Sequence, residues 1–285
     1  MADNNTRLQA FLDAHPDIEL FEVMLLDLCG GLRGKWVTRD KIHKVMEGGL
    51  KMPLSTLAFD VWGRDGEAWV FDSGDGDGFC APDIRTLVPT PWLKRGTGQV
   101  LMSMNEVDGA PCSYDSRYIV KGLMNRFAEL GLTPVMATEM EFHLLKGQCD
   151  DQGRPLHTQE DRVGGSLAAG QTYGIDMMED MADVMYEIHD ACAAQGLPVD
   201  TLIKESAPSQ YEINLYHCDD ALHAADQAVM LQRVIRGVAK KHGYLATFMA
   251  KPFGDQAGNG MHVHCSLVDG DGNNAFNDGS DRGTD

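Results

Sequence analysis

The 285-residue chain carries 24 Lys and Arg against 43 Asp and Glu, a formal charge of −19. That balance excludes a general binder of nucleic-acid backbone, which needs a basic footprint, and argues against docking on an anionic membrane. Apolar residues at 43% and charged residues at 24% are ordinary for a globular protein of one large domain or two smaller ones. No apolar run approaches the roughly 18 residues of a membrane span. The opening MADNNTRLQAFLDAHPD has neither a basic start nor a long apolar core. No signal peptide is expected, and the cytoplasm is the expected compartment. The seven cysteines include no C-x-x-C pair and read as reduced, mostly buried thiols.

In chain order, a short helix is expected over 6–14, with Leu8, Phe11 and Leu12 on one face. Two β-like runs, 21–28 and 34–37, flank Gly30-Gly31 and predict a hairpin. Strands are expected over 52–62 and 67–71, then an acidic loop over 72–78, then an apolar strand in GQVLMSMNEV. Up to about residue 110 this is a small strand-rich domain, 1–110. From 111 helices alternate with strands. Asp115 is placed to cap a helix burying Ile119, Leu123, Phe127 and Leu130. A strand is expected over 134–145 and a polar loop over 146–175. Asp176 and Glu179 suggest a capped helix with Met178, Met181, Met185 and Ile188 at core spacing. A strand pair flanks Pro208, Asp219 or Asp220 opens a helix closed near Gly243, and strands follow over 244–250 and 261–268.

The chemistry sits in three of these strands, because side chains two apart share a face. In TEMEFHL, Glu139, Glu141 and His143 share one face and Met140, Phe142 and Leu144 the other. In ESAPSQYEINL, Glu212, Asn214 and Tyr216 share a face, and Glu205 precedes the turn. In GNGMHVHCSL, His262, His264 and Ser266 share a face, backed by Met261, Val263, Cys265 and Leu267. The apolar faces call for helices behind them. One such strand alone is more often a solvated face than a site. Three in succession gather carboxylates whose mutual repulsion a divalent cation would relieve. An oxygen-rich set with one or two imidazoles favours Mg²⁺ or Mn²⁺ over structural zinc, and Mg²⁺ commonly works with nucleotide phosphates. G-x-x-x-x-G-K-[ST] is absent. The DGDGNN run at Asp269 lacks the glycine and the closing Glu of a calcium loop.

These segments, in order and spacing, resemble the glutamine synthetase family. Its G-x-E-x-E-F strand is similar to residues 137–142, its E-x-x-P-G-Q-x-E segment to 205–212, and its K-P…G-S-G-M-H-x-H-x-S segment to Lys251-Pro252 and 258–266. LLDLCGGLRGKWV, YEINLYH and ATFMAKP resemble the γ-glutamylpolyamine synthetase branch. The resemblance implies an α+β fold: a small N-terminal β-grasp domain, 1–110, then a catalytic domain, 111–285, with an antiparallel sheet backed by helices. Family members run on for about a third more, so the catalytic domain is expected to be incomplete and the chain alone inactive. The resemblance further implies that Glu141, Glu205 and Glu212 hold one metal, and Glu139 and His262 a second. His264 and Ser266 would touch ATP, and Gly258 would lie along glutamate. No general acid or base is identified. The implied reaction is ATP-dependent, ADP-forming joining of the glutamate γ-carboxylate to an amine, a polyamine such as putrescine or else ammonia, in a ring-stacked homo-oligomer resembling a dodecamer. Ser209 replaces the family's Gly in P-G-Q, and Asn259 replaces its Ser. Asp60, in FDVWG, falls where glutamine synthetases carry F-D-G-S-S toward a neighbouring ammonium pocket, and the change fits a larger amine. A metal-dependent hydrolase and a non-catalytic regulatory member are the competing readings.

Overall fold

The structure, a computed structural model, describes residues 2–66, 74–158, 172–280 and 283. Contacts divide the chain into two units, Met1–Arg126 and Phe127–Asp285. This division falls inside a helix, sixteen residues after the composition change at 110.

In the first unit, a helix over Ala2–Ala14 precedes β1 (Leu20–Leu26) and β2 (Leu32–Thr38), an antiparallel hairpin. Asp27 builds its turn. One carboxylate oxygen accepts from the amides of Cys29 and Gly31, and the other from Arg33 Nε at 2.7 Å. The remaining strands are β3 (Leu50–Pro53), β4 (Asp77–Pro82), β5 (Val88–Pro89) and β6 (Thr97–Asn105). The sheet order is β2-β1-β6-β4-β3, with β5 on β6, and β1 runs parallel to β6. Phe21, Val23 and Leu25 alternate onto the core, where Leu8 and Leu12 of the helix and Val100, Met102 and Met104 of β6 meet them. Each such side chain, fully buried, contributes about 1.5–3 kcal/mol.

The strand expected over 52–62 is much shorter. Pro53 has no N–H with which to continue a ladder, and a 3₁₀ turn over Leu54–Ala58 follows. The Asp75 carboxylate holds that turn through Ser55 N and Ser55 Oγ, both at 3.0 Å. The expected strand over 67–71 and part of the acidic loop lie outside the described residues.

The helix Ser116–Glu129 is capped by Asp115, whose Oδ1 accepts from the amides of Arg117 and Tyr118. Its buried side is not the expected one. Of the four, only Phe127 is half-buried and Ile119, Leu123 and Leu130 are exposed, while Arg117 is buried and Val120 and Met124 are half-buried. Arg117 fixes this rotation by pairing with Asp83 at 2.8 Å and donating to Ser103 Oγ.

The second unit is built on β7 (Thr133–Cys149), a 17-residue strand. Along one edge it pairs antiparallel with β10 (Gln210–Leu215), which pairs in turn with β9 (Val199–Lys204). It also pairs antiparallel with β11 (Tyr244–Thr247), β12 (Met261–Val268) and β8 (Pro155–His157). The expected loop over 146–175 therefore begins as a hairpin. Asp150 accepts from the amides of Gln152 and Arg154 at its turn, and residues 159–171 lie outside the described residues. Met140, Phe142 and Leu144 face a core formed with the helix Ala221–Lys241, which buries Leu222, Leu231, Val234, Ile235 and Val238. Asp220 caps that helix through the amide of His223.

Asp176 and Glu179 do not form a capping box. Gly174 takes the cap position without a side-chain bond, leaving Asp176 inside the first turn. The helix also breaks after Glu179 and restarts as Ala182–Ala194, although Met181, Met185 and Ile188 are buried as their spacing predicts. The backing side of β12 departs from expectation too. Met261, Val263 and Cys265 are exposed, because the helix between β10 and β11 covers β7 and β11 rather than β12. All seven cysteines are free, but only Cys80, Cys112 and Cys192 are buried. Burial pushes the Cys80 thiol up to about 11 and Cys192 to about 12, so neither is a ready nucleophile. Among the described residues no helix is long and apolar enough to cross a membrane.

Candidate metal centre

Register does most of the assembly. Glu139 on β7 lies opposite Asn214 on β10 and His262 on β12, and Glu141 lies opposite Glu212. Directly opposed side chains on one face have Cβ atoms about 4.5–5.5 Å apart. Three strands thus turn their polar faces into one patch. Ligand atoms of Glu139, Glu212 and His262 come within 4.8 Å of one another. This trio draws members from both metal sets implied by the resemblance.

The two histidines clasp one carboxylate. His262 Nδ1 lies 2.7 Å from Glu139 Oε2, and His264 Nε2 lies 2.8 Å from Oε1. The His262 bond, aided by His264, holds Glu139 below its usual range, and the same bond raises His262. Glu212 behaves oppositely. Burial pushes it up, a hydrogen bond from Asn214 opposes this, and the charges of Glu139, Glu205 and Glu141 push it further. Glu205 is raised first by burial and then by Glu141. Carboxylates held at this proximity destabilise one another, and the oxygen-rich set with an imidazole fits a divalent cation. Gly260 adds room: a Cβ there would come within 2.9 Å of Glu141 Oε1.

Ser266 lies on the same strand but bonds Asn274 of the following loop at 3.3 Å. Asp60 belongs to the first unit, where its Oδ1 accepts from the amides of Trp62 and Arg64 and closes its own turn. Asp269 is likewise used by its turn, accepting from the amides of Asp271 and Asn273.

Three supporting residues were assigned no role from the sequence. Lys204 is 2% exposed and donates to the carbonyls of Glu205 and Ala207 at 2.6 and 2.7 Å. Burial, opposed by Glu205, lowers it to about 8. No sequence signal marked it, since lysine is ordinarily a surface residue. Gln210 was legible, because it shares strand parity with Glu212 and Asn214. Asn259 closes a third support. Its Nδ2 donates to the carbonyls of Met249 and Thr247, and its Oδ1 therefore accepts from Nδ1 of the fully buried His143 at 2.8 Å. Burial lowers His143 to about 4, so the ring stays neutral and positions the 258–260 segment.

The turn between β9 and β10 carries real strain. Ser209 has φ +56°, where an L side chain costs about 1–2 kcal/mol. Its buried Oγ compensates by accepting from Thr158 N at 2.9 Å. Ser209→Ala keeps the strain and loses the hydroxyl, whereas Ser209→Gly loses the hydroxyl but relieves the strain. Urea unfolding is expected to show both variants destabilised, Ala by about 1 kcal/mol more than Gly. Equal losses would mean the positive φ costs nothing here.

A sheet face that gathers acidic and imidazole donors beside a glycine-containing segment has the donor chemistry of a divalent-cation site. Residues 113–284 match the family described as glutamine synthetase, catalytic domain, and the chain belongs to the glutamine synthetase family. It is 35% identical to γ-glutamylputrescine synthetase PuuA of Escherichia coli K12, over 95% of this chain and 58% of that protein. It is 31% identical to a glutamate–isopropylamine ligase of Pseudomonas, over 92% and 57%. A solved structure of a GmaS/ADP complex superposes with a TM-score of 0.80 at 25% identity, covering 98% of this chain and 59% of that one. The chain spans somewhat over half the length of the relatives it matches.

Proposed function

We propose that the protein joins the γ-carboxylate of glutamate to an amine, with ATP converted to ADP and phosphate. The observation that carries this reading is the patch of Glu139, Glu212 and His262 on one sheet face of a glutamine synthetase family chain. The finer roles follow the motifs. Glu141, Glu205 and Glu212 would hold one Mg²⁺ or Mn²⁺, and Glu139 and His262 a second. His264 and Ser266 would contact ATP, and the Gly258 segment would lie along glutamate. The bound cations would neutralise phosphate and carboxylate charge, which otherwise keeps the two anionic substrates apart.

The reaction has two steps. A γ-carboxylate oxygen of glutamate takes the γ-phosphoryl group, and ADP leaves. The amine sheds a proton to become neutral, its nitrogen attacks the acyl carbon, phosphate departs, and nitrogen loses a second proton. Relatives named for putrescine and isopropylamine favour an organic amine over ammonia. The charge of −19 suits a cationic amine, which it would steer inward. A β-grasp domain over 1–110, a catalytic domain from 111, a ring-stacked homo-oligomer and a cytoplasmic setting complete the reading. The mixed sheet with β1 parallel to β6 supports the first of these.

The test is ADP release by the whole protein with Mg²⁺ and glutamate, across putrescine, isopropylamine, other monoamines and ammonia. Release is expected to require glutamate and to be fastest with an organic amine. Equal release without any amine would overturn ligation, and fastest release with ammonia would assign glutamine synthesis instead.

A further inference from the structure

Gln210 sits at the meeting point of three segments and uses every polar group it has. It is 1% exposed. One Nε2 hydrogen goes to Glu141 Oε2 at 2.7 Å, and the other to the carbonyl of Gly258 at 2.8 Å. Its Oε1 accepts from the amide of Ala207 at 2.9 Å, which anchors the amide plane to the turn that follows Glu205. A primary amide offers two donors in a fixed plane, so the carboxylate and the carbonyl cannot move independently while both bonds stand. Because Oε2 already accepts from the Gln210 amide, Oε1 is the freer Glu141 oxygen for a cation, and a Cβ at position 260 would stand 2.9 Å from it. The amide of Glu141 also donates to the carbonyl of Gly260. The carboxylate and the 258–260 segment are therefore tied at side chain and backbone alike.

We propose that Gln210 is a positioning residue that couples cation binding at Glu141 to the conformation of the 258–260 segment. The proposal rests on the metal-centre reading above and deepens it. A cation drawn to Oε1 fixes the carboxylate plane. That fixes Oε2, then the Gln210 amide, then the Gly258 carbonyl. The segment assigned to glutamate is thus ordered by the metal before the amino acid arrives. Coupling of this kind is reciprocal, so an ordered segment also tightens the metal.

The experiment titrates the 285-residue chain with Mn²⁺ and follows backbone hydrogen exchange over 258–261. In the wild type, saturating Mn²⁺ is expected to slow exchange there at least about fivefold. Gln210→Met keeps the side chain's length without donors. It is expected to weaken Mn²⁺ about 10–100-fold and to abolish the exchange response at saturation. A purely structural role would change the melting temperature and basal exchange but leave the response to Mn²⁺ intact, and that result overturns the proposal. So does a wild-type chain that binds Mn²⁺ without slowing exchange at 258–261, an arm that needs no variant. Gln210→Ala repeats the comparison if the methionine variant fails to fold. A wild-type chain that binds no Mn²⁺ overturns the metal-centre reading itself, and the coupling with it.

Discussion

Glu212→Gln abolishes Mn²⁺ binding at its site and, in the same variant, raises the melting temperature of the metal-free chain. Both effects come from one carboxylate. In the proposed ligand set, Glu212 offers an oxygen beside Glu139 and His262, and an amide would replace it poorly. The loss should be at least about a hundredfold, beyond the 10–100-fold typical of an outer-shell partner. As a buried charge, it is held above its ordinary value of 4.5 by burial and by its carboxylate neighbours. The folded state therefore holds this proton more tightly than the unfolded one. The stabilising contribution is complete below about pH 4.5 and is lost as pH rises through the raised folded value. At neutral pH the charged Glu212 works against the metal-free fold, and glutamine removes that opposition. A gain of about 1 kcal/mol in a unit of this size moves the melting temperature about 2–4 °C. Calorimetry with and without Mn²⁺, across pH 4–8, reads both effects. Wild-type Mn²⁺ affinity in the variant would remove Glu212 from the ligand set, and a lowered melting temperature would contradict the repulsion argument.

Gly258→Ala is the second large effect, and it is steric. A Cβ at 258 would stand 2.2 Å from the Ala250 carbonyl oxygen, a backbone atom that no rotamer change can move away. The bond from Asn259 N to that same oxygen must then stretch or break, and the bond from Gln210 to the Gly258 carbonyl with it. Overpacking of this kind costs about 1–3 kcal/mol. Urea unfolding should show that loss. Gly254→Ala is the matched control, since a Cβ there meets nothing within 4 Å, and it should stay within about 0.5 kcal/mol of wild type. Equal midpoints for the two variants would show that the segment is not seated against residue 250.

Strand parity made the centre legible. Glu139, Glu212 and His262 were placed on polar faces by counting residues in twos, and the antiparallel register brings those faces together. The three motif segments also identified the family. What parity cannot report is what lies behind or beneath. The face of β12 carrying Met261 and Val263 reads as apolar backing, yet among the described residues no helix covers it. The helix after Asp115 carries two candidate apolar stripes about one residue apart that share Phe127, and a partly buried ion pair between Arg117 and Asp83 selects between them. An ion pair across 34 residues leaves no mark on local periodicity. Lys204 escaped for a related reason, because its burial depends on carbonyls presented by the folded turn.

Every strand that contributes to the centre hangs on β7, either directly or through β10. Opening the site by moving β10 or β12 would therefore mean breaking part of the ladder on β7 that organises the second unit. Such a centre has little freedom to adapt its cation geometry to a new substrate. The connections around the sheet are not bound by that ladder, so variation there leaves the polar faces of β7, β10 and β12 in register.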